Sequence, residues 1–308
     1  MVMSQSLHLP TLLRSIEAKK AQLEQFLPLP PATIKSLEDW FRVELTYTSN
    51  ALEGNTLSRR ETQMVVMENL AVEGKSLTEI LEAKNHRRAL DFVLNFAKTK
   101  EEISLQTILK IHQLILGGID DLNAGRFRTV GVRIAGSAVI LPNAAKIPLL
   151  MQEFIAWLGN SQKENKVFLA AQAHYKLVSL HPFTDGNGRT ARLLMNLILL
   201  RNNYPPAVIK KEERKDYLDF LEKAQLGGST DDYFALIYQA EKKSLDFYLE
   251  TITGSQEEYL TVSQVAQKLQ VHPESVRRWV RAGKLPALKL GGKYLRIKKG
   301  DLDEIGNF

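Results

Sequence analysis

The run His181-Pro-Phe-Thr-Asp-Gly-Asn-Gly-Arg-Thr-Ala-Arg192 constrains the fold of this chain more than any other segment, because it ends one helix and opens another. Lys166 to Leu180 reads as helical. Pro182 cannot continue that helix, and Gly186 and Gly188 favour a tight turn. The apolar run Leu193 to Leu200 then reads as a buried helix. Gly186-Asn187-Gly188 therefore sits at a helix start, where unpaired backbone N–H groups and the positive end of the dipole form an anion site. Glycines let successive N–H groups converge on phosphate oxygens.

The chemistry follows from the residue types. Arg189 and Arg192 are three apart, so both lie on one face of the first turns and can fork onto phosphate oxygens. Asp185 is a hard oxygen ligand of the kind that holds Mg²⁺ together with substrate phosphates. His181 titrates near neutrality and can take a proton from an attacking hydroxyl. The chain has no cysteine and the segment has no serine, which favours direct in-line transfer over a covalent protein intermediate. The reading is metal-assisted transfer of a phosphorus-centred group from a nucleotide to a hydroxyl.

The segment resembles the signature of the Fic-domain family, with every fixed position present. The resemblance implies AMPylation: AMP moves from ATP to a Ser, Thr or Tyr hydroxyl of a protein target, or of the chain itself. It makes His181 the general base and Asp185 the Mg²⁺ ligand. Gly186, Asn187 and Gly188 become the anion hole, Arg189 the grip on the β-phosphate region and Arg192 that on the γ-phosphate. Phe183 anchors the loop. Upstream, Ser49-Asn-Ala-Leu-Glu53-Gly54 ends a helix predicted over about Thr33–Glu53, with Gly54 as its stop. It resembles the family's inhibitory pattern, in which Glu53 pairs with Arg192; in some relatives the same glutamate supports the reverse reaction, removal of AMP. A β-prone segment, Val132 to Leu141 with Gly136-Ser137 at its centre, reads as a hairpin. In the family such a flap docks an extended piece of the target, here along Val132, Ile134, Val139 and Ile140.

The formal charge is concentrated at one end. From Tyr259 to Phe308, 10 Lys and Arg against 4 Asp and Glu leave +6, the whole excess of the chain. Ser263, capping a helix to about Leu269, and a second helix over Pro273–Ala282 precede a hairpin turning at Gly291-Gly292, with Asp301 capping a last short helix. This plan resembles the excisionase and MerR-like DNA-binding family. By that resemblance Ser275, Arg277, Arg278 and Arg281 face DNA, and Lys293 and Arg296 reach from the wing.

The expected fold class is mainly α. A Fic-type helical core with a small β-hairpin flap is joined to a C-terminal winged helix-turn-helix. The expected divisions are a helical segment at 1–34, a core at 35–252, a linker at 253–258 and the basic module at 259–308. The core includes the inhibitory helix at about 35–54 and the flap at about 131–142. No apolar run is long enough to span a membrane and no signal peptide is evident, so a cytoplasmic protein is expected. A homodimer would suit an autoinhibited chain with such a module. Two rivals remain: transfer of another moiety such as UMP or a phosphoryl group, and a transcription regulator whose core only senses nucleotide.

Overall fold

Side-chain caps set the helix boundaries. Ser58 opens α3 (Arg59–Met67) and Ser76 opens α4 (Leu77–Ala97), each in a reciprocal capping box with the glutamate three residues on. Ser104 opens α5 (Leu105–Leu116) in the same way with Thr107. Before them come α1 (Leu9–Glu24) and α2 (Pro31–Leu52), the latter with proline in its first turn. α6 (Ile147–Asn160) and α7 (Lys166–Leu180) follow, and Asn165 caps α7 through bonds from Val167 and Phe168 N–H. α8 (Asn187–Arg201), α9 (Arg214–Gln225) and α10 (Asp231–Gln256) complete the larger part.

This computed structural model describes residues 9–256, 259–290, 294–298 and 302. The chain divides into two compact units, Met1–Tyr248 and Leu249–Phe308. Residues 253–256, read from composition as linker, continue α10; the Thr253 hydroxyl donates to the Leu249 carbonyl one turn back. Among the described residues, no helix is long and apolar enough to cross a membrane.

In the first unit α8 is the centre. Thr190, Ala191, Leu194, Met195 and Leu197 are all fully buried, so the helix is covered on every side. α7, α4, α5 and α2 pack around it. That arrangement fixes the start of α8 against the ends of α7 and α2, where the signature segment and Glu53 lie. The 132–141 segment reverses at Gly136 (φ +75°), and Ser137 N–H donates to the Ile134 carbonyl. Its arms carry no strand ladder. The donors at its tip are taken locally instead: Ala138 N–H and the Ser137 hydroxyl bond Glu222 of α9, and Val139 N–H bonds Ser137.

The second unit holds β1 (Tyr259–Thr261), α11 (Val262–Lys268), α12 (Pro273–Arg281), β2 (Leu288–Leu290) and β3 (Tyr294–Lys298). The sheet runs β1-β3-β2, antiparallel throughout, with Leu260 opposite Ile297 and Leu288 opposite Arg296. Val265, Ala266, Val276, Leu285, Ile297 and Leu302 make its core, and Trp279 packs against them. Thr261 caps α11 with Gln264, in place of the expected Ser263. Strand β1 was not expected. Lys293, Gly291-Gly292 and Asp301 lie outside the described residues.

Candidate active site

α7 ends at His181, whose backbone turns left-handed (φ +46°). That conformation is unfavourable for a side-chain-bearing residue, costing on the order of 1–3 kcal/mol, and persists only where surrounding contacts enforce it. Two contacts come from Arg128: its Nε donates to the His181 carbonyl (2.8 Å) and its N–H to the Pro182 carbonyl (2.9 Å). The His181 imidazole is largely buried, and burial pushes its pKa below the ordinary histidine value. The Val178 carbonyl, Glu53 and Asp185 pull it back in part, while Arg128 adds to the depression. At neutral pH the ring is a neutral base.

The loop after His181 is braced from inside. Phe183 is fully buried and stacks on His112 with ring centroids 3.6 Å apart and planes within 5°. The Asn187 side chain holds both backbone groups of Phe183, accepting from N–H and donating to C=O at 2.9 Å each. Its amide thus closes the loop, and its place in an anion hole rests on its backbone N–H. Gly125 N–H donates to His112 Nδ1, so the proton lies on Nε2, which donates to the Asp185 carbonyl at 3.0 Å. Burial holds His112 near pKa 4, and this neutral tautomer is the one the loop needs.

Gly186 caps α8 in a left-handed conformation (φ +72°), where a Cβ would crowd the His112 ring at 3.3 Å. The first backbone bond of α8 runs from Thr190 N–H to Gly186 C=O. The N–H groups of Asn187, Gly188 and Arg189 thus have no partner within the helix and point to the turn. Asp185 sits at the rim with its side chain 67% exposed, accepting from Gly186 N–H and from Arg189 Nη2. Mg²⁺ is commonly held by one or two carboxylates plus substrate phosphates, and this exposed hard oxygen beside an anion site fits that mode. Arg189 is buried, with its two Nη groups on Asp185 and on Glu82 of α4, 3.0 Å each. In this state it orients Asp185.

Arg192 is buried and is met by α2. Its Nε donates to Ser49 Oγ (3.0 Å), and Nη2 donates to the Ser49 carbonyl (2.9 Å) and to Glu53 Oε1 (2.6 Å). Burial alone would lower the guanidinium pKa, but Glu53 and Tyr217 hold it above its ordinary value. Glu53 follows the last residue of α2, and Gly54 (φ +101°) turns the chain away. Its carboxylate lies so close to Gly188 that any Cβ there would collide with Oε1. A negative group therefore already sits over the anion turn.

Behind Arg192 runs a buried polar chain. The Tyr233 hydroxyl donates to the Ala171 carbonyl, so it accepts from His174 Nδ1 at 2.8 Å. His174 Nε2 then accepts from the Tyr217 hydroxyl at 2.9 Å, leaving that oxygen's lone pairs toward Arg192 Nη1 at 3.5 Å. Burial keeps His174 neutral, near pKa 3. Tyr217 is thus a buried hydroxyl aimed at the arginine. The roles of His112 and Arg128 were missed in the sequence; Gly125-Arg-Phe-Arg128 lies far from the segment it supports.

Of the flap residues, Val132, Ile134 and Val139 are half-buried and Ile140 is 94% exposed. On α12, Arg277, Arg278 and Arg281 are exposed and Ser275 is half-buried. Glu274 pairs with both Arg277 (3.0 Å) and Arg281, so a carboxylate interrupts the basic face. Of Arg296 only the backbone, in β3, is described.

The larger unit is thus a helical domain whose buried central helix begins at a glycine turn with free N–H groups, just after the histidine that ends the helix before it. Residues 102–199 match the Fic/DOC family, and residues 259–305 match a helix-turn-helix domain. A C. elegans Fic-1 fragment is similar at 31% identity and TM-score 0.73, over 80% of this chain and 73% of that one. A Fic domain containing signaling protein from Bacteroides thetaiotaomicron aligns at 27% identity and TM-score 0.72, over 79% and 97%. Among curated proteins, protein adenylyltransferase Fic of Drosophila grimshawi is 41% identical over 205 residues, 66% of this chain and 42% of the relative. The Aedes aegypti protein of that name is 37% identical over 219 residues, 70% and 43%. The chain thus spans less than half the length of these curated relatives. It belongs to the Fic/DOC family.

Proposed function

We propose that this chain transfers AMP from Mg²⁺·ATP to a Ser, Thr or Tyr hydroxyl of a protein, itself included, and that Glu53 restrains the reaction. The observation that carries the reading is the Glu53–Arg192 pair at 2.6 Å, with the carboxylate pressed against Gly188. A carboxylate in that place competes with a phosphate for the same arginine and the same turn. The names of the curated relatives, protein adenylyltransferase Fic, point the same way.

The residues divide the work as follows. The free N–H groups at the start of α8 and Arg192, once released, hold the phosphates. Asp185 would hold Mg²⁺, which when bound offsets the charge of the leaving pyrophosphate. His181, neutral through burial, accepts the proton of the incoming hydroxyl. An oxygen–phosphorus bond forms at the α-phosphorus as the bond to the bridging oxygen breaks, and pyrophosphate leaves with that electron pair. The flap offers backbone arms without a ladder and the exposed Ile140, a surface on which an extended target segment can lie. In the second unit, the helix-turn-helix match and the exposed Arg277, Arg278 and Arg281 support DNA as the partner of α12.

The test follows label from α-labelled ATP into protein for the full chain, Glu53→Gly and Glu53→Gly/His181→Ala. Glu53→Gly should label at least about tenfold more strongly than the native chain, and the double variant should not label. Equal labelling of native and Glu53→Gly would remove Glu53 from the restraint. The helix-turn-helix match favours one other reading, a regulator that senses nucleotide. It requires ATP binding with no label in Glu53→Gly.

A further inference from the structure

We propose that Arg128 is a positioning residue that locks the flap to the catalytic histidine, so that a docked target strand and the base share one frame. This inference rests on the transfer reaction proposed above and adds a residue to it.

The geometry is specific. Arg128 is 2% exposed, yet among the described residues no carboxylate pairs with it. Its guanidinium instead donates to three carbonyls from separate stretches of chain. Nε reaches His181 (2.8 Å), Nη1 reaches Val130 (3.1 Å) and Nη2 reaches Pro142 (2.6 Å). Val130 and Pro142 flank the 132–141 segment on either side. His181 ends α7, where unpaired carbonyls and the negative end of the helix dipole favour a cation. One rigid fork therefore closes the base of the flap and caps the helix that presents the catalytic imidazole. The arms of the flap have no ladder of their own, so their spacing depends on contacts such as these.

The arrangement explains why arginine stands here. Three acceptors in three directions need a planar fork of fixed N–H groups, whereas a lysine ammonium is a single point. A buried cation also needs full hydrogen bonding in place of water. The charge faces His181 together with Glu53 and Asp185, and it opposes protonation of the ring.

The experiment compares Arg128→Lys and Arg128→Gln in the Glu53→Gly full chain. Amide hydrogen exchange over 130–142 should accelerate at least about tenfold in both, with α5 and the body of α8 unchanged, since bonds lost at the base open the segment locally. Transfer should fall at least about tenfold in both while ATP affinity stays within about twofold, because the fork touches no phosphate site. The His181 pKa, followed by NMR, should rise in Arg128→Gln and stay in Arg128→Lys, which keeps the charge. Unchanged exchange over 130–142 in both variants would overturn the proposal. So would transfer in Arg128→Lys equal to that of the parent. If the Glu53→Gly parent shows no transfer, the functional reading fails alone, and hydrogen exchange still decides the role of Arg128. Arg128→Lys keeps the charge and most of the apolar stem, so it guards against mere loss of folding.

Discussion

At the scale of single residues, Gly188 shows how closely the Glu53 carboxylate and the glycine turn are built together. It needs no positive φ; it is glycine because the Glu53 carboxylate occupies the space of a Cβ. Gly188→Ala must therefore push Glu53 from Arg192 or shift the turn. The expected cost to stability is about 1–3 kcal/mol, the range for overpacking a tight site. In Glu53→Gly/Gly188→Ala the collision with Oε1 is gone and only the flexible Arg192 Nη1, 2.9 Å from the Cβ position, must give way, so the two effects should be less than additive by at least about 1 kcal/mol. Urea unfolding of the four chains measures this, and simple additivity would refute the contact. The placement of His181, Asp185, Gly186, Arg189 and Arg192 about one helix start was legible in sequence because turn chemistry and spacing are local properties. Arg128 and His112 were not. Their partners, His181 and Asp185, lie 53 and 73 residues away, and neither Gly125-Arg-Phe-Arg128 nor a lone histidine on an apolar helix signals what it will touch.

At the scale of elements, helix ends were the readable part. α7 begins and ends at Lys166 and Leu180, where the sequence places it. The flap was less readable. Val132-Arg-Ile and Ala-Val-Ile140 are β-prone, but bonds to the Glu222 carboxylate and from the Arg128 guanidinium take the place of a ladder. Strand β1 escaped notice because three residues carry no periodicity and its partner β3 is distant in sequence. Thr261-x-x-Gln264 was a capping-box signal of its own, two residues before the serine that was favoured. Helix α12 carries a further expectation. Glu274 engages Arg277 and Arg281 on an exposed face, and its own pKa is lowered first by the Arg277 hydrogen bond. If that face meets DNA, Glu274→Gln should tighten binding by about threefold to tenfold and steepen its salt dependence, since charge is freed for phosphates. A gel shift at two salt concentrations reads both; no change would place the DNA surface elsewhere.

At the scale of the whole molecule, the buried histidines link stability to pH. His86 and His174 are held near pKa 3 and His112 near 4, in each case chiefly by burial. In the unfolded chain they titrate near about 6.5. Between those values the unfolded state binds more protons than the folded one. The stability they contribute is therefore present above about pH 6.5 and is lost as pH falls, through about 4 for His112 and about 3 for His86 and His174, each group adding a limiting slope of about 1.4 kcal/mol per pH unit. Urea midpoints at about pH 7.5, 6 and 5 should fall in that order; a flat series would mean that these rings are charged in the folded protein. Sequence could not show this, since burial belongs to the assembled fold. The contact between Glu53 and Arg192 joins residues 139 positions apart in one chain. The restraint proposed for Glu53, carried in this way, would have a local concentration set by the fold and not by the amount of protein. Dilution would not release it and abundance would not strengthen it. It would answer only to what displaces a carboxylate from one arginine.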